Sequence, residues 1–302
     1  MGILVVGSIN VDLNVRVVRH PLPGETLHGS NRSMAPGGKG ANQAVAAASL
    51  GSPVAMIGSV GTDPAQQVAL SLLRESGADI SRIRTVDDEA TGLAIVVVDD
   101  AGENSIIVIP GANDTVTAEL IAAERAQIEA ADVLIMQGEI PTEAIDLAAQ
   151  LCTGRLVFNL APVVPVAKQT ILRADPLIVN EHEGALALEQ LGREDAQSLS
   201  PRGVVEALVD MGVPSVIMTL GPEGALVAER GKPVEQVPSA SVAVVDTTGA
   251  GDAFVGGTAH RLLAGDTLVD AARFGARIGA YACTGWGAQP SYPKAGDPLP
   301  GA

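Results

Sequence analysis

The chain has 302 residues, 47% of them hydrophobic, a formal net charge of −16 at pH 7 and two cysteines. That is apolar material enough for one large domain, while the acidic balance and the lack of any basic stripe argue against nucleic acid as a partner. The longest apolar runs, such as 93–98 and 106–109, fall far short of the roughly 20 residues of a membrane-spanning helix, and Cys152 and Cys283 make no disulfide framework, so a reduced cytoplasm is the expected setting.

The apolar stretch 3–7 reads as a first strand with no basic leader before it, so no secretory signal is expected. It runs into GSINVD at 7–12. Ligands of open α/β sheets bind at the carboxyl ends of strands, which makes Asn10 and Asp12, two apart and on one side if extended, candidates for contact. Residues 10–35 contain Pro21, Pro23 and Gly24 with short extended pieces and interrupt the rhythm. PGGKGANQAVA at 36–46 is a glycine-rich turn opening a helix over 40–50, and it displays Lys39 and Asn42. An ammonium and an amide beside close-approach glycines suit a polyhydroxyl ligand.

A strand at 54–58 and a helix over 64–76 follow. Runs 92–98 and 105–109, joined by a polar turn, carry a hairpin signal. With 10–35 they form a small separate sheet, whose apolar face, with Ile95, Val97 and Ile107 as candidates, would seek a partner. Next come a helix over 118–130, a strand at 133–136 leading to Gln137, Gly138 and Glu139, a helix over 142–151 and a strand at 156–160. A strand at 177–179 leads to Asn180, Glu181, His182 and Glu183, and a helix over 204–211 precedes strands at 216–220 and 225–228. Taken singly, the polar stretches at strand ends read as turns; their shared position brings a functional reading level with that one.

The segment VVDTTGAGDAF at 244–254 reads as an apolar strand, a glycine-rich loop and a helix over 253–263. Unsatisfied N–H groups at such a helix start, with the positive end of the dipole behind them, make an anion cradle, and Asp252 stands in its first turn. Beyond Pro290 the chain is rich in Pro and Gly and reads as irregular. The strands are mostly continuous apolar runs alternating with helices, so the expected core is a parallel sheet covered on both faces.

Several common fingerprints are absent. No G-x-G-x-x-G follows the first strand, Lys39 is followed by Gly40 rather than Ser or Thr, and neither H-E-x-x-H nor G-x-S-x-G occurs. His20, His28, His182 and His260 lack metal-ligand spacing.

GGKGANQAVAA early and DTTGAGD late, in that order and separation, resemble the two signatures of the ribokinase family, the phosphofructokinase B type of carbohydrate kinases. The resemblance runs from Ile3 to about Pro293, and GSINVDL, PGET, TGLAIVVVD, GEN, GAN, NLAP, MTLG and GAQPS are most like segments of the family's ribokinase branch. It implies a three-layer α/β/α catalytic domain over 1–302, with a mostly parallel central sheet and a small β-sheet lid built from 10–35 and 91–110. It implies transfer of the γ-phosphate of ATP to a sugar, with ribose, taken to ribose 5-phosphate, as the expected acceptor. Deoxyribose, a nucleoside or another sugar is the alternative, and a catalytically silent sugar-binding regulator is a further one of another class.

Roles carry over by position. Asp252 matches the catalytic base, and Ala250, Gly251 and the Asp252 amide match the anion hole. Asn10, Asp12, Gly38, Lys39, Gly40, Ala41, Asn42 and Glu139 match the sugar-binding positions. Asn180, Thr219, Leu220, Gly221, Pro222, Glu223, Gly224 and Gly251 match the nucleotide side. Glu183 matches the residue that organises Mg²⁺ through water, and Asp246, Thr248, Ala282, Gly285, Gly287 and Ser291 match a potassium cage. The apolar face of the small sheet leads to the expectation of a homodimer through the lid. The chain departs from the family at Gly285 and Trp286, where a more polar, basic pair is usual, at His182, where Thr is common, and after Ser291, where the family usually forms a final helix.

Overall fold

The first strand, β1 (Ile3–Val6), is buried on both faces in the computed structural model, which describes residues 2–101 and 104–301. Side chains alternate along a strand, so Ile3 and Val5 enter one apolar core while Leu4 and Val6 enter another. The following strands are β2 (Asn10–Arg16), β3 (Asn31–Gly37), β4 (Val54–Gly61), β5 (Asp79–Val86), β6 (Gly92–Val98), β7 (Asn104–Ile109), β8 (Val133–Met136), β9 (Arg155–Asn159), β10 (Leu177–Asn180), β11 (Ser215–Thr219), β12 (Ala225–Glu229) and β13 (Glu235–Val237).

Nine of them form the central sheet in the order β13-β12-β11-β10-β9-β8-β1-β4-β5. Neighbours from β11 across to β5 run parallel, and only β12 and β13 are antiparallel to their neighbours. Helices Lys39–Ser49, Ala250–Leu263 and Leu268–Ala282 cover one face through the first core. Helices Thr142–Leu151, Glu181–Leu191 and Pro201–Asp210, with the shorter Ala118–Ala123, Arg125–Ala130 and Lys168–Leu172, cover the other. The result is three layers, helix, sheet and helix, as the alternating apolar runs predict.

The other four strands pair as β3-β2-β6-β7, with β2 parallel to β6 and the outer pairs antiparallel. Register sorts their side chains. Leu13, Met34, Ile95 and Ile107 stand opposite one another on one face, and two residues along, Val15 joins Val97 there. The other face carries Asn10, Asp12, Asn14 and Arg16. The expected apolar face is therefore continuous across the small sheet, and the polar face turns toward the central one. Of the polar turn between β6 and β7, residues 102 and 103 lie outside the described residues.

Some expectations need correction. Residues 244–245 form no strand, and Val244 and Val245 are 63% and 42% exposed. With no sheet neighbour to pair with, Val245 and Asp246 instead donate their N–H groups to the carbonyl of Cys283 at 2.8 and 3.3 Å. The helices read as 64–76 and 118–130 are divided at Leu70 and at Glu124, whose ψ of 10° leaves the helical region. β5 carries no apolar strand signal, because its residues, with Asp79, Arg82 and Arg84, are those of a charged sheet edge. Helix Glu181–Leu191 starts where the sequence reads as a polar turn: Asn180 is its N-cap, in a reciprocal capping box with Glu183.

Candidate active site

The carboxyl ends of β1, β8, β9, β10 and β11 lie along one edge of the central sheet, and the site is assembled there. Helix Ala250–Leu263 points its first turn at this edge. Its N-cap, Gly249, has φ of +72°, a left-handed conformation that a side chain would strain and that turns the chain from loop into helix. The N–H of Ala250 is taken by the Thr247 carbonyl at 3.2 Å, whereas those of Gly251 and Asp252 donate to no described residue. A Cβ built on Gly251 would meet nothing within 4 Å. The helix thus opens onto free space with two amides and the positive end of its dipole, a setting for an anion.

Asp252 is buried, and both carboxylate oxygens accept hydrogen bonds: Oδ2 from Asn42 Nδ2 at 2.8 Å and Oδ1 from Gln43 Nε2 at 2.9 Å. These donors sit on helix Lys39–Ser49, packed against Asp252's own helix. The grip is itself braced. Gln43 Nε2 also reaches Asn159 Oδ1 at 2.9 Å, Gln137 Nε2 donates to Gln43 Oε1 at 2.7 Å, and Gln289 Nε2 donates to Asn42 Oδ1 at 2.9 Å. A carboxylate fixed by amide donors keeps lone pairs for a further proton without free rotation.

Lys39 extends from the same helix start. Its ammonium is held above its usual pKa by Asp252, against burial and helped by Glu139, Glu183 and Asp12. One lysine therefore feels four carboxylates brought from remote parts of the chain. Asp12, on the polar face of β2, is pushed up to about 7, first by burial and then by Glu139 and Asp252, against the pull of Lys39. Glu139 Oε2 accepts from Ser8 Oγ at 2.5 Å and from the Lys39 amide at 3.0 Å, which ties the end of β8 to the glycine-rich turn. Asn10 is buried, and its Oδ1 accepts from Asn113 Nδ2 at 2.7 Å. Asn10, Asp12, Lys39, Asn42, Glu139 and Asp252 thus converge on one region, with Gly38, Gly40 and Ala41 forming the backbone turn beneath Lys39.

Farther along the same edge, Asn180 and Thr219 are register partners at the ends of β10 and β11. The loop Leu220, Gly221, Pro222, Glu223 and Gly224 closes on itself through the Leu220 N–H to Gly224 carbonyl bond of 2.8 Å. Glu183 Oε2 accepts the Asn180 N–H at 2.8 Å; burial pushes its carboxyl up, partly offset by that bond. Among the described residues no group of three or more His, Cys, Asp or Glu side chains could hold a metal. This donor set fits an ion bound mainly by phosphate oxygens and water, for which Glu183 has one oxygen to offer.

Beside the helix start, Asp246 knits two loops. Its Oδ1 accepts from Thr248 N at 2.9 Å and Thr248 Oγ1 at 2.7 Å, and its Oδ2 from Gly287 N at 2.9 Å. Ser291 Oγ donates to the Ala288 carbonyl at 2.7 Å, and the Ala282 carbonyl accepts from Gly285 N at 3.3 Å. The carbonyls of Asp246, Thr248, Gly285 and Gly287 accept no hydrogen bond from a described residue. A set of free carbonyls with a single carboxylate suits a large monovalent cation.

Sequence reasoning assigned no role to Gln43, Asn113, Gln137, Asn159 or Gln289. Gln43 lies inside the GGKGANQ segment and Gln289 inside GAQPS, so the motifs pointed to them without giving a partner.

Residues 2–295 match the pattern described as pfkB family carbohydrate kinase. A ribokinase of Schizosaccharomyces pombe is 36% identical over 304 residues, covering 97% of this chain and 95% of that one. Among solved structures, a ribokinase of Thermotoga maritima superposes with a TM-score of 0.88 at 33% identity, covering 97% of this chain and 96% of that one. An Arabidopsis thaliana ribokinase complexed with ribose and ATP gives 0.86 at 28%, covering 97% and 95%.

Proposed function

The chain belongs to the pfkB family of carbohydrate kinases, and from that premise we propose that it transfers the γ-phosphate of ATP to ribose, giving ribose 5-phosphate. One observation carries the reading: a buried carboxylate, Asp252, is clamped by Asn42 and Gln43 beside two free amides at the start of its helix. Phosphoryl transfer asks a protein for alignment and for neutralisation of spreading charge rather than for covalent chemistry. Asp252 takes the proton of the attacking hydroxyl as the O–P bond forms. The Gly251 and Asp252 amides, with Ala250 shaping the turn, receive the transferring phosphoryl oxygens.

Asn10, Asp12, Lys39, Asn42 and Glu139 hold the sugar. Asp12 is a twin acceptor suited to neighbouring hydroxyls, and Lys39 donates and offsets the surrounding carboxylates. Asn180, Thr219 and the loop to Gly224 take the nucleotide. Glu183 would hold Mg²⁺ through water, and the ion would supply neutralisation of phosphate charge. The carbonyls around Asp246, Thr248, Ala282, Gly285, Gly287 and Ser291 would hold potassium, whose charge would brace the loop beneath the anion hole. The small sheet closes over the acceptor as a lid on a single catalytic domain and keeps water from competing. Its outer apolar face, with Ile107 59% exposed, pairs with a second copy. A reduced cytoplasm suits the two free thiols.

The test is ADP release with ATP and a panel of ribose, 2-deoxyribose, other sugars and nucleosides. Ribose should give the highest kcat/KM, because a missing 2-hydroxyl leaves a buried acceptor short of a donor. Equal values for ribose and 2-deoxyribose, or a nucleoside well ahead of ribose, would overturn the assignment of the acceptor.

A further inference from the structure

The face of β2 that carries Asp12 continues outward through Asn14 to Arg16, since alternate residues of a strand share a face. There Arg16 meets the far side of the site: its guanidinium carbon lies 5.3 Å from the centre of the Trp286 ring. A cleft of about 730 Å³ lies beside this contact, walled by Asn14 and Ser33 on the small sheet and by Thr247 and Thr248 opposite. Trp286 is 65% exposed and belongs to neither apolar core. The ring contact it makes among the described residues is with Arg16. An indole left this open contributes little to folding, so its contact across the cleft is the feature to explain.

What the contact joins is informative. On one side is the sheet that presents Asp12. On the other is the loop whose Gly287 is tied to Asp246 and whose Gln289 holds Asn42, the residue that grips Asp252. We infer that Arg16 and Trp286 are a positioning pair for the acceptor, holding the small sheet at the width where Asp12 reaches the sugar. The pair touches neither sugar nor nucleotide and acts through Asp12 and the loop. The inference rests on the reading that a sugar lies against Asn10 and Asp12.

A cation over an aromatic face near the surface changes an equilibrium about two- to fivefold. Arg16→Ala and Trp286→Ala should each raise the acceptor KM by about that factor, with kcat and the ATP KM moving less. Trp286→Phe, which keeps a ring face, should restore most of the affinity, and the double alanine variant should be no worse than either single one. Trp286 is the sole tryptophan, so emission of the full chain should shift when acceptor alone is added, and the shift should shrink in Arg16→Ala. The acceptor is whichever member of the panel is turned over. If none is, the reading above falls and this inference falls with it. If an acceptor is turned over, an unchanged KM in both alanine variants, additive effects, or equal damage from Phe and Ala at 286 overturns the inference alone. Should Trp286→Ala fail to fold, Arg16→Ala, at an exposed strand end, carries the test.

Discussion

Two amides from another helix hold Asp252 in a fixed position, and in the proposed mechanism, where it is the base, removing its basicity should separate chemistry from binding. Asp252→Asn keeps shape and reach, so kcat should fall by about 10²–10⁴-fold, the usual range for a general base, while sugar and ATP affinities change far less. Steady-state kinetics with circular dichroism as a folding control check this. Asp12 adds a pH dependence. Its folded pKa of about 7 lies above the unfolded value, so the carboxyl is increasingly protonated below that pH and ionised above it. The ionised form accepts hydroxyl hydrogen bonds, so acceptor kcat/KM should rise between pH 6 and 8, and Asp12→Asn should lose that rise. The same raised value means that Asp12's contribution to stability is fully present below the unfolded pKa and is lost as pH rises through about 7. At this scale the sequence was legible where function is contiguous: Lys39, Asn42 and Asp252 stand within glycine-rich segments. Gln289 and Gln43 were not, because what defines them is a partner more than 200 positions away.

Buried elements could be read from their apolar runs, and exposed ones could not. β1, β8, β10 and β11 appear within a residue or two of their expected ends because strands buried on both faces leave long apolar runs. β5 and β13 are edge pieces with polar sequences, whereas helix Leu268–Ala282 has a legible start in Thr267, whose Oγ1 accepts the Asp270 N–H at 3.2 Å. The expected strand at 244–245 does not form, because Val244 and Val245 face a cleft and are exposed rather than buried in a sheet. Packing between the two catalytic helices depends on Gly256, where an added Cβ would lie 2.5 Å from the Ala46 Cβ and 2.8 Å from the Gln43 carbonyl. Gly256→Val should therefore cost about 1–3 kcal/mol, seen as a lowered Tm, and should also reduce turnover by displacing Gln43 from Asp252. A variant as stable and active as the parent would mean that the helices can part without consequence.

For the whole molecule, the layered fold and the site at its strand ends were readable from rhythm and motif, whereas the sidedness of the small sheet needed the register. Ile107 sits at its exposed outer strand, so light scattering should give a dimer at micromolar concentration, and Ile107→Lys should give a monomer. The free carbonyls around Asp246 predict higher activity in potassium than in sodium-only or Tris buffer; equal rates would remove the cation from the account. The chain passes from β1 into the small sheet through Gly7, Ser8 and Ile9, and leaves β3 for helix Lys39–Ser49 through Gly38 alone. The sheet is therefore spliced in series between the strand that floors the site and the helix that grips the base, with no slack on the return side. In the proposed mechanism a tilt of the sheet would be geared directly to Asn42 and Gln43, so that the acceptor drawing it down would also set the aim of Asp252, and idle turnover of ATP against water would be held back by this linkage as well as by the lid.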